Sequence, residues 1–597
     1  MKTRRKSPAT PAVAPLPPPP ELGGRRVLVV GLGESGLAMV RHLCAQQAQP
    51  RVCDTRAEPP ALAALRERHP SVPFSSGGFE PALLENTDLL AWSPGVSIER
   101  GPGAAFYALA RERGLPVLGE LDLFMHALAR LHLAELAAHA LRQAEHLAAQ
   151  EAEQAEQARQ QEARSQAAAD LAAALDEATP ADDAKAAPPA DAVGQQAGEP
   201  AGEESAWQDE AESPPLSPPD DAPRPARVLA VTGTNGKTTV TALTARLLEA
   251  AGVSAVAAGN IGPAMLDALH DALESQSLPT VWVLELSSFQ LAIAAPIRPD
   301  AAAILNVSQD HLDWHESMQT YVRAKHRIAG PTTVLVHWRG DPACRAEGAG
   351  GYASFGLDAP TLEGETGLVH DGGFPWLAEA VSGDDGLPLK RGQSPEPARI
   401  SRLMPVDVLQ IQGAHNHLNA MAALALCRAI GTPVGAMLHA LGRYRGEPHR
   451  CQHLATLDGV DWYDDSKGTN VGATVAALQG LGRRCWLIAG GQGKGQDFSP
   501  LAQAVARHAA GVLLIGEDAP RIESLLQHAG IASERCATLE QAVARAAAQA
   551  RDGEAVLLSP ACASFDMFRS YRDRGERFAR AVRELAGERG NVLELPC

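Results

Sequence analysis

The chain has 597 residues, 45% of them hydrophobic and only 4% aromatic, and carries a formal net charge of −18. Such a length calls for several domains with full cores, filled mainly by alanine and leucine rather than by rings. The acidic balance excludes a nucleic-acid or anionic-membrane partner, which needs a clustered basic surface, but leaves room for one small anionic ligand held by a few local groups.

Residues 1–22 begin MKTRRKSPATPAVAPLPPPP, a basic stretch that runs into proline instead of an apolar segment. This reads as a flexible tail and not a signal peptide. No run is apolar for long enough to form a membrane helix. The nine cysteines are scattered, with no C-x-x-C pair. A soluble, cytoplasmic protein with reduced thiols is expected.

From 23 to 128, the short apolar strands RRVLVVG, RVCD, DLLAWSPG and LPVLGE alternate with helical sequence, which predicts a parallel, Rossmann-like sheet. Gly31-Leu32-Gly33-Glu34-Ser35-Gly36 closes the first strand and opens a helix, and Asp54 ends the second. Taken alone this is a dinucleotide fingerprint, and it supports an NAD-dependent oxidoreductase as an alternative reading. The diphosphate of a UDP-carrying substrate would use the same turn equally well.

Residues 129–225 differ in character. The first half, rich in Ala, Gln, Glu and Leu without Gly or Pro, predicts a helical arm. Leu133, Leu136, Ala140, Ala144 and Leu147 recur there at helical spacing. The second half, about Thr179 to Pro225, is rich in Pro, Ala, Asp and Glu and reads as a disordered acidic tether. A tolerated surface insertion is the expectation, with contacts to other proteins, or a non-catalytic scaffold, as the alternative.

A second α/β block spans 226–445 through RVLAVTG, VWVLEL, AAAILNV, TVLV and the helical HNHLNAMAALALCRAI. A third spans 446–597 through DWYDD, CWLIAGG, GVLLIG and EAVLLSPA. The fold class is therefore α/β, in three domains with mainly parallel sheets.

The most specific local signal is Gly233-Thr234-Asn235-Gly236-Lys237-Thr238, between a buried strand and a helix. Its glycines let backbone N–H groups turn inward around phosphates, and the helix N-terminus adds partial positive charge. Lys237 would reach the β- and γ-phosphates of ATP, and the Thr238 hydroxyl would meet Mg²⁺. Glu285 and His311 follow strand ends of the same sheet, where an open parallel sheet gathers its ligand crevice. They are candidate Mg²⁺ ligands, although Mg²⁺ prefers oxygen and a solvated loop pair is the plain alternative.

Together these stretches resemble the Mur ligases of bacterial cell-wall synthesis. The resemblance is carried by GLGESG, SPG, TGTNGKTT, GNIG, LELSSFQL, NVSQDHLD, YVRAKHRI, GAHNHLNA, GEPHR, DDSKGTN, GGQGKGQDFSP and LLSPACASFDMF. GLGESG with Asp54-Thr55-Arg56, DDSKGTN and SPACASFDMF point to the branch that adds D-glutamate. The resemblance implies a UDP-binding, a P-loop ATPase and an amino-acid-binding domain around one cleft. It also implies an ATP-dependent amide ligase that joins D-glutamate to UDP-N-acetylmuramoyl-L-alanine through an acyl phosphate, with two Mg²⁺ ions and a monomeric enzyme.

By resemblance, Gly233 to Thr239, Asn416, Arg450 and Asp465 bind ATP, and Thr238, Glu285, His311 and a carbamylated Lys325 hold metal. Gly33, Ser35, Gly36, Asp54, Thr55, Arg56, Ser93, Gly95, Asn260 and His311 take the UDP substrate. Lys467, Thr469, Lys494, Ser564 and Tyr571 surround D-glutamate, and Lys237, Glu285, His311, Lys325, Arg450 and Lys467 carry the chemistry. The chain departs from the family pattern at Gly468 (usually Ala), Phe565 (usually Leu), Tyr571 (usually Phe) and His337-Trp338 (where Asn is common).

Overall fold

The computed structural model describes residues 20–177, 223–383, 398–411, 413–493 and 495–589. Most of the 1–22 tail, the greater part of the acidic stretch and Lys494 lie outside them. The described residues fall into two units, one within Met1–Leu128 and Ala226–Cys597 and the other within Ala129–Pro225.

The first unit contains three sheets. Strands β1 (Arg26–Val30), β2 (Gln49–Asp54), β3 (Phe74–Ser76), β4 (Leu89–Trp92) and β5 (Val117–Gly119) lie in the order β3-β2-β1-β4-β5. All are parallel. The order reverses at β1, so the glycine turn after Val30 opens at a topological switch point.

The second sheet contains β6 (Arg227–Thr232), β7 (Ala255–Gly259), β8 (Val281–Glu285), β9 (Ala301–Ile304), β10 (Val334–Trp338), β11 (Gly351–Phe355), β12 (Glu365–Asp371), β13 (Phe374–Val381) and β14 (Arg399–Pro405). Its order is β14-β13-β12-β11-β10-β9-β6-β8-β7. Strands β7 to β12 are parallel with β6, whereas β12-β13 and β13-β14 are antiparallel. The first hairpin turns on Gly372 and Gly373, both at positive φ (60° and 87°), the conformation a two-residue turn requires.

In the third sheet, β15 (Gln452–Leu457), β16 (Val460–Asp464), β17 (Cys485–Gly490), β18 (Ala509–Ile515), β19 (Ser533–Arg535) and β20 (Ala555–Leu558) take the order β15-β16-β20-β17-β18-β19. Only β15-β16 is antiparallel, joined through Asp458-Gly459. The expected mainly parallel α/β architecture is thus present, with these hairpins as its additions.

Small residues fill two segments of the middle core, among larger Leu, Val and Met side chains. Ala301, Ala302 and Ala303 of β9 are fully buried, as are Ala420, Ala422, Ala423 and Cys427 of helix Ala414–Ala429. That helix packs against Lys237–Ala250, the helix leaving the phosphate loop, and against β9 to β12.

The helix that begins after β5 runs from Glu120 to Glu177. Its first residues are packed: Phe124 is buried and meets Trp282 of β8 edge-on at 5.2 Å between ring centres. In the second unit residues 129–177 are helical, and Leu133, Leu136 and Leu147 are exposed.

Candidate active site

The phosphate loop is shaped by its glycines and by a neighbouring asparagine. Gly236, the N-cap of helix Lys237–Ala250, sits at φ 82°, and a Cβ there would lie 2.5 Å from Asn419 Oδ1. Asn306, just beyond β9, accepts the Asn235 backbone N–H at 2.9 Å and donates to the Asn235 carbonyl at 3.1 Å. The Thr234 hydroxyl accepts the Ser308 N–H at 3.0 Å and contacts the Tyr321 hydroxyl at 2.9 Å. The loop is thereby held open-faced toward the ends of β8 and β9.

Two lysines converge on it. Lys237 Nζ donates to the carbonyls of Gly233 and Thr234 at 3.0 and 2.9 Å, and Lys325 Nζ donates to the same Gly233 carbonyl at 2.7 Å. Lys325 is fully buried, over the Tyr321 ring at 4.5 Å. Burial first, and then the neighbouring Lys237, drives its ammonium well below the ordinary lysine range. A neutral amine is the form that reacts with CO₂.

Glu285 ends β8, buried, and accepts Asn260 Nδ2 on Oε1 at 2.7 Å. Its Oε2 is buried without a hydrogen-bond partner, an acceptor facing the cavity that Lys237, Asn260, His311 and Lys325 also line. His311 sits at φ 56°, its ring edge-on to Phe289 at 4.7 Å and Nε2 3.6 Å from Asp310. Burial lowers its basicity, favouring neutral imidazole. An uncompensated carboxylate oxygen beside an imidazole of lowered basicity fits a divalent cation, whereas Lys325 as an amine supplies no oxygen ligand. Thr238, the fourth predicted ligand, has its hydroxyl engaged by the Arg450 guanidinium and does not line this cavity.

This cavity, of about 330 Å³, is closed from the other side by the third domain through Arg450, Lys467, Thr469, Asn470 and Gln496. Lys467 Nζ stands 3.9 Å above the Tyr571 ring. Burial, then Arg450, brings its ammonium down to about 8. Ser564 is buried outside the lining, and Phe565 is exposed to solvent.

An adjoining cavity of about 290 Å³ is bounded by Gly236, Thr239, Trp338, Phe355, Asn416, Asn419, Arg450 and Asp465. Trp338, one of the departures, thus forms part of its apolar wall. Asn419 Nδ2 donates to Asn416 Oδ1 at 3.1 Å. Asp465 accepts the Ser559 hydroxyl at 2.7 Å, and burial pushes its carboxyl up to about 7. At Gly468 a Cβ would come 2.5 Å from Asp465 Oδ2 and 2.7 Å from Ser559 Oγ.

The remaining predicted residues gather in the first domain, at the C-terminal ends of β1, β2 and β4. Gly36 has no room for a side chain, since a Cβ would lie 2.2 Å from the Gly31 carbonyl. Asp54 accepts the Leu32 N–H at 2.8 Å and holds Arg56 by two bonds of 2.9 and 2.8 Å. Against its burial, Arg56 and those N–H groups keep its carboxyl below the ordinary range. Thr55, Arg56 and Gly95 are exposed and Ser93 is buried; none lines the two cavities above.

Several contributors are not in the predicted set. Asn306 and Asp310 lie within NVSQDHLD, Asn419 within GAHNHLNA and Asn470 within DDSKGTN, so the motifs already contained them. Glu120 is buried beside the Ser35 hydroxyl and accepts the Leu266 N–H at 3.3 Å; burial raises its carboxyl to about 7. Arg574 is also wholly buried and ties Ser466 to the Cys562 carbonyl. Neither had a sequence signal, because each acts through packing.

Comparison with known proteins bears on this arrangement directly. Three family models match in order: the Mur ligase MurD-like N-terminal domain over residues 25–119, the Mur ligase middle domain over 231–364 and the Mur ligase glutamate ligase domain over 449–562. The chain belongs to the Mur ligase family. Among relatives of this Mur ligase, the UDP-N-acetylmuramoylalanine--D-glutamate ligase of Ralstonia nicotianae is 46% identical, the alignment covering 96% of this chain and 99% of the relative. The proteins of that name from Paraburkholderia xenovorans and Burkholderia mallei are 43% and 44% identical, each over 95% of this chain and 97% and 98% of their own. Among the described residues no helix of this Mur ligase is long and apolar enough to cross a membrane.

Proposed function

We propose that this Mur ligase adds D-glutamate to UDP-N-acetylmuramoyl-L-alanine in the cytoplasm, as a monomer, converting ATP to ADP and phosphate. The observation that carries the reading is the meeting of Lys237, Lys325, Glu285, Arg450 and Lys467 around one cavity beside the phosphate loop. Those groups are what a reaction between a carboxylate, a triphosphate and a dicarboxylic amine needs. The domains assigned to these tasks are 23–128, 226–445 and 446–597.

In this mechanism Lys237 leaves its loop carbonyls for the γ-phosphate. Glu285, His311 and the Lys325 carbamate would hold Mg²⁺, joined by Thr238 once Arg450 releases its hydroxyl, and the ion would neutralise charge on the phosphates. The carbamate arises when the neutral Lys325 amine adds to CO₂ and releases a proton. The substrate carboxylate attacks the γ-phosphorus and ADP departs, leaving an acyl phosphate. The neutral amine of D-glutamate then attacks the acyl carbon, and the tetrahedral adduct expels inorganic phosphate and loses the amine proton. Arg450 offsets charge on the transferring group. Lys467, Thr469, Lys494, Ser564 and Tyr571 orient D-glutamate, with Lys467 supplying a cation for its carboxylate. Asn416 and Asp465 hold the nucleoside. Gly33, Ser35, Gly36, Asp54, Thr55, Arg56, Ser93 and Gly95 hold the uridine diphosphate, and Asn260 faces the sugar-peptide.

The test is phosphate release from ATP and Mg²⁺ with UDP-N-acetylmuramoyl-L-alanine, comparing D-glutamate, L-glutamate and glycine. Release stimulated by D-glutamate alone is the expected result. Equal release with glycine, or none with any amino acid, would overturn the assigned substrates.

A further inference from the structure

Asn470 bonds two loops of the ATPase domain to the amino-acid domain across the reaction cavity. Its Oδ1 accepts the Ala473 N–H at 2.9 Å, capping helix Val471–Gly480. Its Nδ2 donates to Asn235 Oδ1 in the phosphate loop and to Asp310 Oδ2 beside His311, both at 3.1 Å. The cap fixes the amide's orientation, because only the oxygen can accept an N–H. That leaves both amide hydrogens for the opposite domain. The approach is close: a Cβ on Gly472 would lie 3.2 Å from Ser308 Oγ and 3.4 Å from Asn235 Nδ2.

We infer that Asn470 is a positioning residue that clasps the phosphate loop and the His311 loop to the Lys467–Asn470 segment, so that the groups serving ATP, metal and amino acid share one register. The inference rests on the ligase reading for its catalytic consequence, but its structural content is independent of it. Asn470 touches no reacting atom in this role. It sets where Lys467 and Thr469, three residues and one residue away in the chain, stand relative to Lys237 and His311.

A cap role and a clasp role separate cleanly. Asp caps a helix as well as Asn, so Asn470→Asp keeps the cap. It removes both donated hydrogen bonds and sets a carboxylate against Asp310, a repulsive contact at this distance. Reversing the polarity, with Asn470→Asp combined with Asp310→Asn, restores a donor and an acceptor across the seam.

The experiment measures kcat for D-glutamate-dependent phosphate release, melting temperature and backbone hydrogen exchange in the full chain for both single variants and the double. Expected for Asn470→Asp are a kcat lower by about tenfold or more, an unchanged melting temperature, and faster exchange in peptides covering 232–238 and 308–313 but not 471–480. The double variant should exceed the product of the singles. Unchanged exchange in both loops, or a double variant no better than that product, would overturn the clasp. A wild-type chain without D-glutamate-dependent release would sink the ligase reading, and the exchange measurement would still decide the clasp.

Discussion

Replacing Arg574 by methionine tests whether a buried cation assembles the amino-acid half of the site. Its guanidinium donates to Ser466 Oγ at 3.0 Å, to the Ser466 carbonyl at 2.8 Å and to the Cys562 carbonyl at 3.1 Å. Ser466 Oγ in turn donates to the Tyr571 carbonyl at 2.7 Å. Methionine fills much of the volume but leaves two buried carbonyls without donors, each worth about 1–3 kcal/mol. The native cost of burying the charge, visible in a guanidinium brought down to about 10, is relieved at the same time. The net loss should be about 3 kcal/mol, a drop of roughly 6–12 °C for a domain of this size. Because Ser466 precedes Lys467 and bonds to the backbone of Tyr571, KM for D-glutamate should rise while KM for the UDP substrate stays. Differential scanning calorimetry and steady-state kinetics give both numbers, and Arg574→Lys, keeping charge but not the fork, should fall between. A methionine variant melting within about 2 °C of wild type, with KM for D-glutamate unmoved, would refute the argument.

Two further outcomes follow from the lysines. The depressed Lys467 ammonium is charged below about 8 and neutral above it, so kcat/KM for D-glutamate should fall on the alkaline side near that pH. The limb should move upward in Lys467→Arg, since guanidinium stays charged; a profile flat to pH 10 in wild type would contradict the assignment. Incubation with ¹³CO₂ should give a carbamate carbon resonance that is lost in Lys325→Arg, and that variant should lose at least about a hundredfold in kcat, the scale of removing one charge-stabilising group. A resonance that persists in Lys325→Arg would place the modification elsewhere.

The alternating strands and the glycine loops were legible because period and punctuation are local properties. The strand ending at Thr232, Gly233 at positive φ and the helix from Lys237 all follow from residues within one short window. Hairpins β12-β13 and β15-β16 carry local signals as well, since HDGGF and LDGV each place a Gly-containing turn between apolar runs. The roles of Glu120 and Arg574 were not legible, since a buried charge is defined by what packs around it. Lys325 shows the limit most plainly. YVRAKHRI is an ordinary amphipathic pattern, and only the fold brings that lysine to the Gly233 carbonyl.

The alanines within the middle core make tolerance to change there one-sided. Truncating Ala302 or Ala422 removes one methyl, with a cost of about 1 kcal/mol in the helix. Enlarging either forces neighbouring backbone apart, at about 1–3 kcal/mol per added group. Ala301–Ala303, Ala420, Ala422 and Ala423 therefore accept little beyond Gly and Ser, the residues nearest to alanine in volume. Cys427, buried in the same core, is one step larger and marks a position with room for a single extra atom.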